Sequence, residues 1–438
     1  MWCRGEAGLG ARRAAEVLPR GYADCRTSVL TARMAGAAWR LRVDLITRNG
    51  RRWRHFVKRR IDCRETQVAG WKRVAALAAL AIAEAAGAAD DGRVLVGQTA
   101  ALSGPIAEHG NAAATGARVL FEAVNASGGI HGRRIVVVAE DDAGDAKRAA
   151  ENTRRLIERE GVIAMFGGVE GGPCVASLRE AAALGAPLVA CMAGAPEMRE
   201  PFNAWSFPVR APHLEEFAKL LDIAKTYGYG RVAFFHADSD TGRRHLANVQ
   251  KLAAARSIEV VPVVARSGAT PESLAQAIGA AKVDAVFNHG SYAVYASAIK
   301  AAKAAGLRPT FMAVNSGAAQ MAALLGADGK GLIFTQVVPF PWSVAVPVVK
   351  EYQQALARHA AGAAPSFSGL EGYLGAKVLV AGLRAAGRDP TRERLQKALE
   401  GLGTMDLGGM TVRYTPSTHA GSTFVDTVIV ASDGRFSR

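Results

Sequence analysis

Cysteine is scarce in this chain of 438 residues: there are five, and Cys3, Cys25 and Cys63 all fall in the first 63 positions. The other two, Cys174 and Cys191, have no C-x-x-C partner and no histidine at ligand spacing. That excludes a disulfide scaffold and a zinc site as the organising principle, while leaving open whether the two pair with each other. Signatures of chemistry are absent too. The chain has no G-x-S-x-G elbow, no H-E-x-x-H helix and no glycine-rich loop followed by Lys-Ser/Thr. No metal, no cofactor and no enzymatic activity are therefore expected. No apolar run reaches the roughly 20 residues of a membrane-spanning helix. What is present is ordinary globular material, 50% hydrophobic and 21% charged, which rules out disorder and collagen-like repeats. The length suggests two or three domains.

Acidic residues are in deficit, and the formal charge is +15. The excess is local, because residues 1–73 hold 18 of the 54 Lys+Arg but only 6 of the 39 Asp+Glu. Residues 90–438 carry a net charge of only +4. Residues 1–67, with Arg51-Arg52-Trp53-Arg54 and Lys58-Arg59-Arg60, show no sustained apolar period. They read as an extension outside the mature protein, the competing reading being a nucleic-acid-binding arm. Residues 68–89 look like a signal peptide: Trp71-Lys72-Arg73, the ten-residue apolar run Val74–Ala83, then small residues Ala86–Ala89. A start at or near Val68 and a mature end near Ala89 or Asp90 are expected.

From residue 93 onward, strand-like and helix-like segments alternate. Apolar runs at 94–97, 135–139, 163–166, 187–190, 232–235, 260–264, 285–287 and 310–313 read as buried parallel strands. Between them lie amphipathic stretches of helical length, the last at 292–305, and three more helices are expected near 344–359, 368–386 and 391–400. So many elements exceed one compact sheet, which predicts an α/β chain with two lobes. Pro-punctuated segments at 207–212 and 335–341 are the natural crossovers. Ligands of such sheets bind in loops at the carboxyl ends of strands. The densest of these is Gly167-Gly168-Val169-Glu170-Gly171-Gly172, suited to an anion or carboxylate at a helix N-terminus. Asp141-Asp142 reads as helix capping rather than an acid pair, with Asp145 as the N-cap. Among the nine histidines, only His109 is kept as a ligand candidate.

Several motifs carry a resemblance. They are Val96-Gly97-Gln98-Thr99-Ala100-Ala101-Leu102-Ser103-Gly104-Pro105, Ala123-Val124-Asn125-Ala126-Ser127-Gly128-Gly129-Ile130-His131-Gly132, Glu140-Asp141-Asp142, Val337-Val338-Pro339, Leu370-Glu371-Gly372-Tyr373 and Phe424-Val425-Asp426. In this order over residues 93–436 they resemble the branched-chain-amino-acid-type (Leu/Ile/Val) solute-binding proteins of ABC transporters. The resemblance implies a type I periplasmic binding fold, with two doubly wound parallel-sheet lobes joined by three hinge crossings. The expected lobes are 90–209 with 338–417, and 210–337 with 418–438. It also implies a monomer that traps a small solute, hands it to a membrane ABC permease and binds no nucleic acid. The alternatives are a ligand-sensing transcription regulator of the same fold and a cytoplasmic α/β enzyme.

By position, the family's cleft residues fall on His109, Gly171, Met192, Gly194, Thr241, Ser291, Asn315 and Ser368. Ser103, Glu170, Gly172, Ala193 and Tyr292 complete the expected ligand-binding set. The departures matter. Leucine-binding members carry an aromatic at His109, a serine at Gly171, tyrosines at Thr241, Ser291 and Ser368, and a glutamate at Asn315 that holds the ligand's ammonium. A buried ammonium without a counter-charge is costly. The sequence therefore predicts an amino-acid-like, carboxylate or amide solute with no obligatory ammonium, Glu170 and Glu371 being the carboxylates that could take over. The family's early disulfide is absent, since Gly144 and Glu170 stand at its positions.

Overall fold

The computed structural model describes residues 92–438; the basic extension, the signal-like segment and the first three cysteines lie outside the described residues. The chain begins with β1 (Arg93–Ala100), α1 (Ala107–Ala126), β2 (Arg134–Asp141), α2 (Ala146–Glu158), β3 (Ala164–Phe166), α3 (Gly171–Ala183), β4 (Leu188–Val189) and β5 (Ser206–Phe207). These strands form one parallel sheet in the order β2-β1-β3-β4-β5. β3 is fully buried, as continuous apolar runs in a sheet covered on both faces should be. After residues 208–212 the same pattern repeats. It runs through α4 (His213–Thr226), β6 (Arg231–Ala237), α5 (Asp240–Ala254), β7 (Glu259–Ala265), α6 (Pro271–Ala281), β8 (Ala285–His289), α7 (Tyr292–Ala304), β9 (Thr310–Ala313), α8 (Ala318–Leu325) and β10 (Ile333–Gln336).

The chain then returns through α9 (Pro347–His359), α10 (Phe367–Ala386) and α11 (Arg392–Glu400) to the first lobe's core. β11 (Thr404–Asp406), β12 (Thr411–Thr415) and β13 (Thr418–Gly421) make a small antiparallel sheet. Finally β14 (Asp426–Val430) and β15 (Phe436–Ser437) join the second sheet antiparallel, in the order β15-β14-β10-β9-β8-β6-β7. The parallel parts of both sheets share one topology, with switch points between β1 and β3 and between β6 and β8. The expected lobe boundary at 417/418 falls inside the β12–β13 hairpin. Strand pairing keeps 418–421 with β12, and the chain rejoins the second sheet only at Asp426. Residues 335–336, read from sequence as the start of the 335–341 crossover, instead end a fully buried strand, β10.

Two 20-residue helices, α1 and α10, cross at backbone contact. A Cβ on Gly116 would lie 1.8 Å from the Gly369 carbonyl oxygen, and one on Gly372 would lie 2.1 Å from that of Ala113. Only glycine permits such an approach. The crossing puts His109 of α1 beside Ser368 and Glu371 of α10, on the wall facing the second lobe.

Helix starts follow local chemistry. Asp145 caps α2 as expected, accepting from the Arg148 N–H at 2.7 Å. Asp141 and Asp142 cap loops instead. Asp141 accepts the Leu102, Ser103 and Ala143 N–H groups and the Ser103 hydroxyl, which hold its carboxyl at about 2. Asp142 accepts from Thr99 Oγ1 and the Gly144 N–H.

Candidate functional site

Where the lobes meet, a cavity of about 630 Å³ is walled by α1 and α10 on one side. The ends of β9 and β10, the following crossover and β15 form the other side. Arg210, on the first crossover and 3% exposed, is the polar node behind it. Its Nη2 donates to Glu216 Oε1 at 3.1 Å and to Asn315 Oδ1 at 2.6 Å, and its Nη1 lies 3.7 Å from Glu371 Oε1. Glu216, fully buried on α4, fills both oxygens. Oε1 also contacts His213 Nδ1 at 2.9 Å, while Oε2 accepts from the Asn315 N–H at 2.9 Å and Thr335 Oγ1 at 2.5 Å. Burial alone would raise this carboxyl. The hydrogen bond from His213, the charges of His213 and Arg210, and the Asn315 N–H outweigh burial and hold it at about 2.

Three polar atoms in the cavity wall have no hydrogen-bond partner among the described residues: His109 Nε2, Gln336 Nε2 and Glu371 Oε1. Burial, helped by the charge of Arg210, lowers His109 to about 4, so its ring is neutral. Burial raises the Glu371 carboxyl, Arg210 pulls it down and Glu216 pushes it up. At the other end stand Phe340, Trp342, Phe367 and Phe436, with Trp342 and Phe367 at 5.5 Å and Phe367 and Phe436 at 5.7 Å between ring centroids. Polar contacts also span the lobes: Gln320 Nε2 to Glu108 Oε2 at 3.3 Å at the cavity rim, and Arg244 to Glu197 at 2.8 Å outside its lining.

Of the residues expected from sequence, this cavity brings together His109, Asn315 and Ser368. The others sit at the carboxyl ends of strands, outside its lining. Ser103 is exposed, with its hydroxyl spent on Asp141. Glu170 stands before α3 with φ +72°, and Gly171 and Gly172 open that helix. Met192, Ala193 and Gly194 are buried after β4, Met192 bridging to Val169 and Gly194 lying against the His213 ring. Thr241 is in the first turn of α5. Ser291 caps α7, and Tyr292 packs over Gly317. Arg210, Glu216 and Gln336 escape the sequence reading. The available signal is a charge inside an apolar stretch, as in Val209-Arg210-Ala211. Of the two carboxylates named as substitutes for position 315, Glu371 lines the cavity and Glu170 does not.

Cys174 and Cys191, whose pairing the sequence leaves open, form a disulfide. It ties the first turn of α3 to the loop after β4, and Gly168 has no room for a Cβ beside the Cys191 sulfur. With a sequence separation of 17, such a loop closure stabilises by about 3 kcal/mol. Replacing both cysteines by serine is expected to lower the free energy of urea unfolding by that amount. A loss under 1 kcal/mol would show that the link adds nothing to the fold.

A family model described as periplasmic binding protein matches residues 93–435. Leu/Ile/Val-binding protein homolog 7 of Brucella abortus (strain 2308) is 33% identical over 146 residues, covering 33% of this chain. That alignment spans about a third, 35%, of the relative's own length. The leucine-specific-binding protein of Salmonella typhimurium is 26% identical over 274 residues, covering 60% of this chain and 71% of that protein. A crystal structure described as a possible leucine/isoleucine/valine-binding protein from Rhodopirellula baltica superposes with a TM-score of 0.71 at 26% identity. It covers 80% of this chain and 98% of that one.

Proposed function

The chain belongs to the periplasmic binding protein family, with its type I two-lobed fold, and from that premise we propose that it is the solute-binding component of an ABC importer. In this reading it is exported to the periplasm, loses residues 1–89, traps a small amino-acid-like, carboxylate or amide solute between its lobes and delivers it to a membrane permease. The observation that carries the reading is the cavity at the lobe junction, walled from both lobes and carrying three buried polar atoms without partners among the described residues. Buried polar groups are ordinarily satisfied, and a solute that satisfies these holds the two lobes together. The ligand-binding residues proposed are His109, Asn315 and Ser368 within the cavity, with the strand-end loops at 170–172, 192–194, 241 and 291–292 closing over it.

A thermal-shift screen over amino acids, amides and small carboxylic acids tests the reading. A solute at a hundred times its Kd adds about 2.7 kcal/mol to stability. The same solute at saturation is expected to reduce the radius of gyration in small-angle scattering, as hinge closure requires. Failure of every solute at millimolar concentration to raise the melting temperature would refute a solute-binding role.

A further inference from the structure

Among the described residues the cavity wall carries three polar atoms without a partner, His109 Nε2, Gln336 Nε2 and Glu371 Oε1, and the role assigned below to Glu371 rests on reading the cavity as a solute site. Of the two buried carboxylates at the lobe junction, Glu216 has donors on both oxygens. Glu371 is different. It is 5% exposed, and among the described residues its Oε1 has no hydrogen bond and its nearest cation is Arg210 Nη1 at 3.7 Å, beyond hydrogen-bond length. The other terminal nitrogen of Arg210 is already held by Glu216 and Asn315. An ionised carboxylate only accepts, so the group missing at Glu371 is a donor, best a charged one. In the same wall, Gln336 Nε2 is a donor without an acceptor. The polar end thus offers an anionic acceptor and a neutral amide donor. The far end offers the rings of Phe340, Trp342, Phe367 and Phe436. Arg435, the cation at that rim, has a side chain 88% exposed to solvent and lies 3.8 Å from Asp433.

We propose that Glu371 is the anion that seats an ammonium group of the solute, and that the cavity selects amines with an apolar, ring-sized body. This moves the counter-charge from position 315, where the sequence finds it missing, to the neighbouring helix α10. Besides lining the cavity, Asn315 then positions the network, holding Arg210 through its Oδ1 and Glu216 through its backbone N–H.

Isothermal titration of the whole protein with three matched probes tests this: L-phenylalanine, 2-phenylethylamine (amine without carboxylate) and 3-phenylpropanoate (carboxylate without amine). The two amines are expected to bind, with 3-phenylpropanoate weaker by about tenfold or more. Glu371→Gln should weaken both amines by about tenfold or more and leave 3-phenylpropanoate unchanged, while Glu371→Asp retains part of the amine affinity. Equal binding of 3-phenylpropanoate and the amines overturns the assignment, as does undiminished amine binding by the folded Gln variant. If that variant does not fold, the comparison among probes on the natural protein decides. If none of the three binds while a non-amine solute emerges from the thermal-shift screen, this inference falls and the solute-binding reading stands.

Discussion

Replacing Arg210 by methionine is expected to lower the free energy of unfolding by about 3–5 kcal/mol, the usual cost of stripping one partner from a buried ion network. Methionine keeps an unbranched apolar side chain in the space, so the loss reports charge more than volume. Without the guanidinium, Glu216 keeps His213, the Asn315 N–H and Thr335 but loses the Arg210 charge. Glu371 loses the only cation within 4 Å among the described residues. Asn315 Oδ1 is left unpaired as well. Because Arg210 sits on the crossover, Glu216 and Asn315 in the second lobe and Glu371 in the first, the variant also uncouples the lobes at the cavity between them. Adding Glu216→Gln and Glu371→Gln to Arg210→Met should cost less than the sum of the single changes, since the three groups act as one network. Urea unfolding followed by circular dichroism measures each step. A loss below 1 kcal/mol for Arg210→Met would mean that neither carboxylate depends on it.

The same network explains what the sequence could and could not disclose. Strand and helix alternation was legible because parallel strands buried on both faces are written as unbroken apolar runs, such as 232–235 and 285–287. β13 carries no such signature, being Thr418-His419-Ala420-Gly421, and only its pairing with β12 shows where it belongs. α8 escapes a reading by period because Ala318–Leu325 is apolar on nearly every side, which gives no helical period to read. The cavity was legible at His109, Asn315 and Ser368, residues found by position within a resemblance. Arg210, Glu216, Gln336 and Glu371 come from four separate segments and meet only in the fold. Their spacing carries no motif. Glu371 illustrates the limit: the sequence offers it as a substitute carboxylate, and only the crossing of α1 and α10 at Gly116 and Gly372 puts it in the wall.

Acidification from pH 7 to pH 5 is expected to destabilise the fold by about 4 kcal/mol through two histidines alone, His109 and His245. Both are held neutral, at about 4 and about 3 against an ordinary 6.5. Burial is the main cause in each, followed by the charge of Arg210 for His109 and of His213 and Arg244 for His245. A base whose folded value is depressed binds its proton first in the unfolded chain. Its contribution is therefore complete above 6.5 and is lost as the pH falls through 6.5 towards the folded value, about 2 kcal/mol per histidine by pH 5. His289 acts in the same direction, being half-buried and facing His213 at 4.6 Å and His245 at 4.1 Å between ring centroids. Asp141 and Glu216, both held at about 2, lose their contribution only below the ordinary carboxylate range and so stay silent in this window. Glu371 and Asp142 are raised and oppose the trend as they take up protons. His245→Phe isolates the effect, since the site already packs against Phe217 at 5.2 Å and neither ring nitrogen of His245 has a hydrogen-bond partner among the described residues. Urea unfolding at pH 7, 6 and 5 should show the natural protein losing stability at each step and the variant losing about 2 kcal/mol less over the range. Stability that is flat or rising towards pH 5 would mean that these rings are protonated within the fold.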